Sequence, residues 1–159
     1  MTATHINIES PDQPDVIALI ADLDAYQDGL YPAESRYALD LASLKQANVR
    51  FAVARDGSGQ AIGCGAVVLY AGYGELKRMY VTQASRGQGV ARAVLAVLER
   101  SARDAGCTSF RLETGPYQAE ALAFYAGSGY AMCERYGDYK DDPLSVFMGK
   151  DDPAHVNLL

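Results

Sequence analysis

No run of the 159 residues approaches the roughly 20 apolar side chains that a membrane-spanning helix needs, and Met1-Thr2-Ala3-Thr4-His5 lacks the basic and then apolar regions of a signal peptide. A cytosolic (cytoplasmic) protein with no membrane partner is expected. Cysteine is scarce: Cys64, Cys107 and Cys133 are odd in number and far apart, and without a CxxC and with only two histidines no structural metal is expected. Reduced, mostly buried thiols follow. Positive charge is not in excess either, and a net charge of −6 argues against a nucleic-acid partner. Repeats, linkers and low-complexity segments are missing. What is plentiful is apolar material, 49% of a length usual for one compact domain, so a single domain over residues 1–159 is expected.

Charge is unevenly placed. From Met1 to Asp40, the acids Glu9, Asp12, Asp15, Asp22, Asp24, Asp28, Glu34 and Asp40 face Arg36 alone, whereas Lys77, Arg78, Arg86, Arg92, Arg100, Arg103 and Arg111 face only Glu99 and Asp104. A solvated helix face with pairs such as Glu99 and Arg103 is the plain reading of the basic stretch. Thr4 to Ile8 alternates as a strand, and Ser10-Pro11-Asp12-Gln13 offers an N-cap, a proline at N1 and a capping-box Gln. Val16, Leu19, Ile20, Leu23, Tyr26, Gln27 and Leu30 then recur at helical spacing up to Gly29 and Pro32, and Leu39, Leu41 and Leu44 suggest a second, shorter helix.

Val49–Ala54, Ala61–Tyr70 and Glu75–Val81 read as three strands joined by glycine turns, with Glu75, Lys77, Met79 and Val81 on one face by parity. A long helix follows, with Val90, Val94, Val97 and Leu98 along its stripe and Gly106 at its end. Phe110–Thr114 is the next strand, Gln118–Ala126 the next helix, and Tyr130–Tyr136 and Leu144–Met148 two last strands. This order predicts one mixed sheet with helices on its faces and a parallel crossover through residues 75–114.

Arg86-Gly87-Gln88-Gly89-Val90-Ala91 lies between a strand and a helix N-terminus, where free backbone N–H groups and the helix dipole attract an anion. A Rossmann fingerprint would need a small residue where Arg92 stands, and a P-loop would need a GK[ST] that is absent. A convenient glycine turn is the structural alternative.

At these residues the sequence resembles the GNAT acetyltransferase superfamily, whose acetyl-CoA loop reads Q/R-x-x-G-x-G/A; Arg86, Gly89 and Ala91 fit it. Leu76–Val81 looks like the family's fourth strand, and Gln118–Tyr125 through Gly129-Tyr130 looks like its later helix and following strand. The resemblance implies an α/β fold: a mixed, mainly antiparallel sheet of about seven strands with four helices, its fourth and fifth strands splayed around the cofactor arm. It implies acetyl-CoA as acyl donor, no metal, and cofactor contacts at Met79, Tyr80, Val81, Arg86, Gly87, Gln88, Gly89, Val90, Ala91, Gln118 and Tyr125. Family members more often carry Asn where Gln118 stands.

Tyr125 matches the family's general acid, a role suited to a hydroxyl with an ordinary pKa of about 10, although a buried aromatic is the plain reading. Glu75 stands where some members place a base, and also reads as a charged residue at an exposed strand start; Glu113 is a second candidate. Cys64, in an apolar run, reads as core packing, and no acyl-cysteine is required. The acceptor is expected between the first helical segment and the last strands, near Tyr26 and at Tyr31, Glu34, Tyr136 and Tyr139. With the acidic segment up to Asp40, these point to a cationic amine: a small molecule, or a protein lysine or N-terminus. The activity implied is N-acetyl transfer to a primary amine in a ternary complex. A catalytically silent acyl-CoA sensor and a transferase of longer acyl groups stay open, as does a homodimer.

Overall fold

In the computed structural model, described for residues 3–37 and 39–152, seven strands form one sheet in the order β1-β2-β3-β4-β5-β7-β6. Strand β1 (His5–Ile8) leads to helix α1 (Pro14–Asp28), a 3₁₀ turn, and the one-turn helix α2 (Leu41–Leu44), capped where the Ser43 N–H donates to Asp40 Oδ1 at 2.8 Å. Strands β2 (Val49–Arg55), β3 (Ala61–Tyr70) and β4 (Tyr73–Val81) follow as an antiparallel meander. Helix α3 (Val90–Asp104) carries the chain over to β5 (Ser109–Thr114), which runs parallel to β4. Helix α4 (Ala119–Gly127), β6 (Ala131–Met132) and β7 (Val146–Asp151) complete the architecture.

The sheet is buried on both faces, which explains the unbroken apolar run of β3. On one side Val90, Val94, Leu95 and Leu98 of α3 pack with Leu76, Phe110, Leu112, Tyr125 and Tyr130; on the other Val16, Leu19 and Ile20 of α1 pack with Leu44, Phe51, Val53, Cys64 and Ala66. A fully buried side chain of this size contributes about 1.5–3 kcal/mol, so the two layers together outweigh any single polar contact described below.

Three expectations need correction. Helix α1 begins with Pro14 at its first turn and not with Pro11; Ser10 instead closes a preceding turn by accepting from the Asp12 N–H, while Gln13 occupies the cap position. The face parity of β4 breaks at Arg78, a non-glycine residue with φ 59°, where two residues oppose one on β3. Glu75 and Lys77 therefore face away from α3, whereas Met79 and Val81 pack with Leu76 against its core, and Tyr80 joins the α1 side. Finally, of Tyr130–Tyr136 only Ala131–Met132 pairs as a strand; beyond Cys133, whose N–H still donates to the Phe147 carbonyl, the chain turns so that Tyr136 and Tyr139 point inward.

Strands β4 and β5 pair only where Gly74, Glu75 and Leu76 meet Phe110, Arg111 and Leu112. Both continue, β4 through Val81 and β5 through Thr114, without further mutual hydrogen bonds. The sheet thus opens into a wedge.

Candidate active site

Two cavities occupy the wedge among the described residues. The larger, about 770 Å³, runs from the α3 N-terminus along Met79, Tyr80 and Val81 to α4; the smaller, about 110 Å³, lies under Tyr31, Tyr37 and Tyr139. Leu23, Met79, Gln118, Ala121 and Tyr125 line both, so the two meet at Tyr125.

The α3 end of the larger cavity gathers free backbone donors and two arginines. Gly87 and Gly89 hold φ +77° and +79°, and a side-chain carbon added at either would meet nothing within 4 Å, so backbone conformation and not crowding favours glycine there. The N–H groups of Gly87 through Arg92 make no hydrogen bond among the described residues, the first helical bond being Ala93 N–H to the Gly89 carbonyl at 3.1 Å. Arg86 and Arg92 line the same end. Arg86 is steered by its Nε–H, which donates to the Val81 carbonyl at 3.1 Å, and by stacking of its guanidinium over the Tyr80 ring. Val81, Gly87, Val90 and Ala91 line this cavity as well, but Gln88 points to solvent and lines neither. Gln118, at the α4 cap, accepts from the Thr114 hydroxyl at 3.3 Å.

Tyr125 is 7% exposed, and its hydroxyl makes no hydrogen bond among the described residues. Burial pushes its pKa well above the ordinary phenol value, so the proton stays on oxygen at neutral pH. From the opposite strand Glu113 enters the smaller cavity, held by the Ser145 hydroxyl, which donates at 2.8 Å. Burial pushes its carboxyl up to about 7, helped by Glu75 and Asp142, while the Ser145 bond and Lys77 pull it back.

Glu75 is not at an exposed strand start. It is 3% exposed and lines neither cavity; it accepts from the Tyr136 hydroxyl at 2.7 Å and the Tyr139 hydroxyl at 2.5 Å, and Lys77 Nζ lies 3.9 Å away. Tyr136 is thereby committed beneath the site and does not line it, whereas Tyr139 and Tyr31 do. The Tyr31 ring stacks on Tyr117, and its hydroxyl accepts from the Tyr117 N–H at 3.1 Å. Glu34, in the 3₁₀ turn Ala33–Ser35, lines neither cavity. Cys64 is fully buried, its thiol pushed up to about 12 by burial, so it is packing and not a nucleophile.

Sequence reasoning missed Arg36, Tyr37, Lys77 and Arg78, all of which line the smaller cavity. Lys77 was legible through its parity with Glu75. The other three come from a segment without periodicity and from a bulge.

Comparison with known proteins supplies the family. The model described as Acetyltransferase (GNAT) family matches residues 16–130, a span that includes β4, the glycine loop, α3, β5 and α4. The chain is 47% identical over 144 residues to the IAA acetyltransferase of Azospirillum brasilense, covering 89% of this chain and 94% of that one. A Klebsiella pneumoniae crystal structure described as an acyl-CoA N-acyltransferase superposes with a TM-score of 0.83 at 41% identity, over 93% of this chain and 97% of that one. At 16% identity the paiA N-acetyltransferase of Thermoplasma acidophilum, solved with coenzyme A, shares the fold with a TM-score of 0.71 over 94% of this chain and 99% of that one. With its splayed strands, its glycine loop at α3 and a family match across both, the chain belongs to the GNAT acetyltransferase family.

Proposed function

We propose that the protein moves an acetyl group from acetyl-CoA to a primary amine while both are bound. The observation that carries this reading is the wedge between β4 and β5. Along it lie a helix end rich in free N–H groups, an unpaired strand edge, a protonated tyrosine hydroxyl and a carboxyl titrating near neutrality.

Bound acetyl-CoA supplies a thioester carbonyl open to attack by nitrogen. The chain's residues fit such a donor: the N–H groups of Gly87 to Arg92, with Arg86 and Arg92, receive its phosphates, and β4 from Met79 to Val81 offers backbone groups that β5 does not use. A β4 N–H at Met79 or Tyr80 steadies the carbonyl oxygen as charge develops there. Glu113 takes a proton from the incoming ammonium, because only the neutral amine has the lone pair that attacks. As the N–C bond forms and the C–S bond breaks, Tyr125 gives its hydroxyl proton to the departing sulfur, and the proton that the new amide nitrogen must shed restores the tyrosine. The base role passes from Glu75 to Glu113 because the contacted Glu75 oxygen already accepts from Tyr136 and Tyr139, and freeing it would break charge-assisted bonds of about 1.5–3 kcal/mol each.

The test is free-thiol release from acetyl-CoA with a panel of amino acids, polyamines, aminoglycosides and lysine peptides, against a control without acceptor. Release with an amine class supports transfer. Stabilisation by acetyl-CoA with no release from any amine would favour an acyl-CoA sensor, and absence of both would overturn the cofactor site.

A further inference from the structure

We infer that Lys77 is a positioning residue for Glu113: its ammonium, fixed where β4 and β5 part, stabilises the Glu113 carboxylate, and Glu75 behind it acts in the opposite sense; this rests on the transfer reading above. The backbone register brings the two side chains together. Gly74, Glu75 and Leu76 stand level with Phe110, Arg111 and Leu112, so the next level pair along these parallel strands is Lys77 and Glu113. Level residues on neighbouring strands put their side chains on the same face of a sheet. Lys77 and Glu113 thus share a face at the first position without a ladder bond, and both line the smaller cavity.

The ammonium is held in place and little screened. Lys77 Nζ donates to the Tyr37 carbonyl at 2.7 Å and the Tyr139 hydroxyl at 2.8 Å, and Tyr139 in turn donates to Glu75. An ammonium has three N–H donors, so one is left beyond these two bonds. The Lys77 side chain is 12% exposed and that of Glu75 4%, with 3.9 Å between their charged atoms, so dissolved salt weakens the interactions little. Burial pulls Lys77 below its ordinary pKa, while Glu75 and Glu113 hold it up.

The other charges around Glu113 have partners of their own. Asp142 accepts from the Leu144 N–H at 2.8 Å and the Tyr37 hydroxyl at 3.1 Å, and the cavity-lining Arg36 and Arg78 pair with Asp28 and Asp24. The nearby phenols of Tyr31, Tyr37, Tyr136 and Tyr139 are raised above their ordinary value by burial and stay neutral. Of the three cations lining this cavity, Lys77 is the one that holds no carboxylate at hydrogen-bond distance among the described residues.

The Glu113 carboxyl is titrated by carbon-13 NMR of glutamate-labelled protein, its signal identified by its loss in Glu113→Gln. In parallel, kcat/KM for thiol release with the amine panel is followed over the same pH range. Lys77→Met should raise the carboxyl midpoint by about one pH unit, and Glu75→Gln should lower it by about half a unit, because an opposite charge favours the carboxylate and a like charge disfavours it. The kcat/KM midpoint should follow each shift, so that Lys77→Met loses about fivefold near pH 7 and recovers most of this about two units higher. Lys77→Arg, which keeps the charge, should hold the midpoint near that of the unmodified protein. A merely structural role would lower kcat/KM at every pH and leave both midpoints in place; that result overturns the inference. If Lys77→Met does not fold, the downward shift in Glu75→Gln decides. A carboxyl midpoint that moves as expected without thiol release from any amine supports the charge coupling and overturns the transfer reading. Turnover whose midpoint ignores a moving carboxyl overturns the positioning role and leaves transfer intact.

Discussion

Replacing Glu113 by Gln separates catalysis from stability in a single variant. Raising a carboxyl from 4.5 to about 7 means that the fold disfavours its ionised form, at about 1.4 kcal/mol per pH decade, by roughly 3 kcal/mol. The sign follows from proton binding: between these two values the folded chain holds a proton that the unfolded chain has lost, so stability falls as pH rises. Below 4.5 the carboxyl is protonated in both states and costs nothing; above about 7 the whole penalty is present. Gln keeps the shape and can still accept from Ser145, but it cannot ionise. Glu113→Gln is therefore expected to melt roughly 6–12 °C above the unmodified protein at pH 8, with the gap closing by pH 4. The same variant should lose about 10²–10⁴-fold in kcat/KM, and the unmodified protein's kcat/KM should rise through about pH 7 as Glu113 becomes a base. Differential scanning calorimetry and thiol release, each across pH 4 to 9, read both effects. Turnover within threefold of the unmodified protein at pH 8 would refute the base assignment, and a pH-independent difference in melting temperature would refute the burial argument.

Tyr125→Phe should cut kcat at least about tenfold with acetyl-CoA affinity retained, and should melt near the unmodified protein because the hydroxyl has no bond to lose; unchanged turnover would remove Tyr125 from the mechanism. Gly89→Ala should raise KM for acetyl-CoA and cost about 1–2 kcal/mol, because φ +79° strains any side chain although space is open; an unchanged KM would separate the loop from cofactor binding. At Gly115 the reason for glycine is crowding, since an added carbon would overlap the Tyr31 ring. Gly115→Ala should therefore destabilise by about 1–3 kcal/mol and displace Tyr31 from the acceptor cavity, detectable as a raised acceptor KM with KM for acetyl-CoA little altered.

Most of the fold was legible from local signals. Period-2 and period-3.6 patterns, glycine turns and the loop before α3 are chemistry of neighbours in the chain, and they located β2 to β5, α3 and α4 close to where they lie. The shortfalls were where the governing interaction is distant. Tyr130–Tyr136 alternates like a strand, yet the pull of Glu75 on Tyr136 and Tyr139 from 61 and 64 residues away ends the pairing at Met132. No local pattern announces the bulge at Arg78, which is held by Asp24 and the Leu39 carbonyl from the α1 side and flips every later β4 residue to the other face.

The sequence by itself determined the element order, the family and the place of the glycine loop at the start of α3, because such a loop acts through its own backbone. Tertiary structure alone separates the two carboxyls proposed as a base. Glu75 and Glu113 look equivalent on paper, but burial with two tyrosine donors quenches the first, while burial beside an open cavity with one serine donor leaves the second a labile proton. It also decided where the acids that dominate the chain up to Asp40 act, because pairing across the fold engages most of them, Asp28 with Arg36 and Asp24 with Arg78 among them, and none of them lines either cavity.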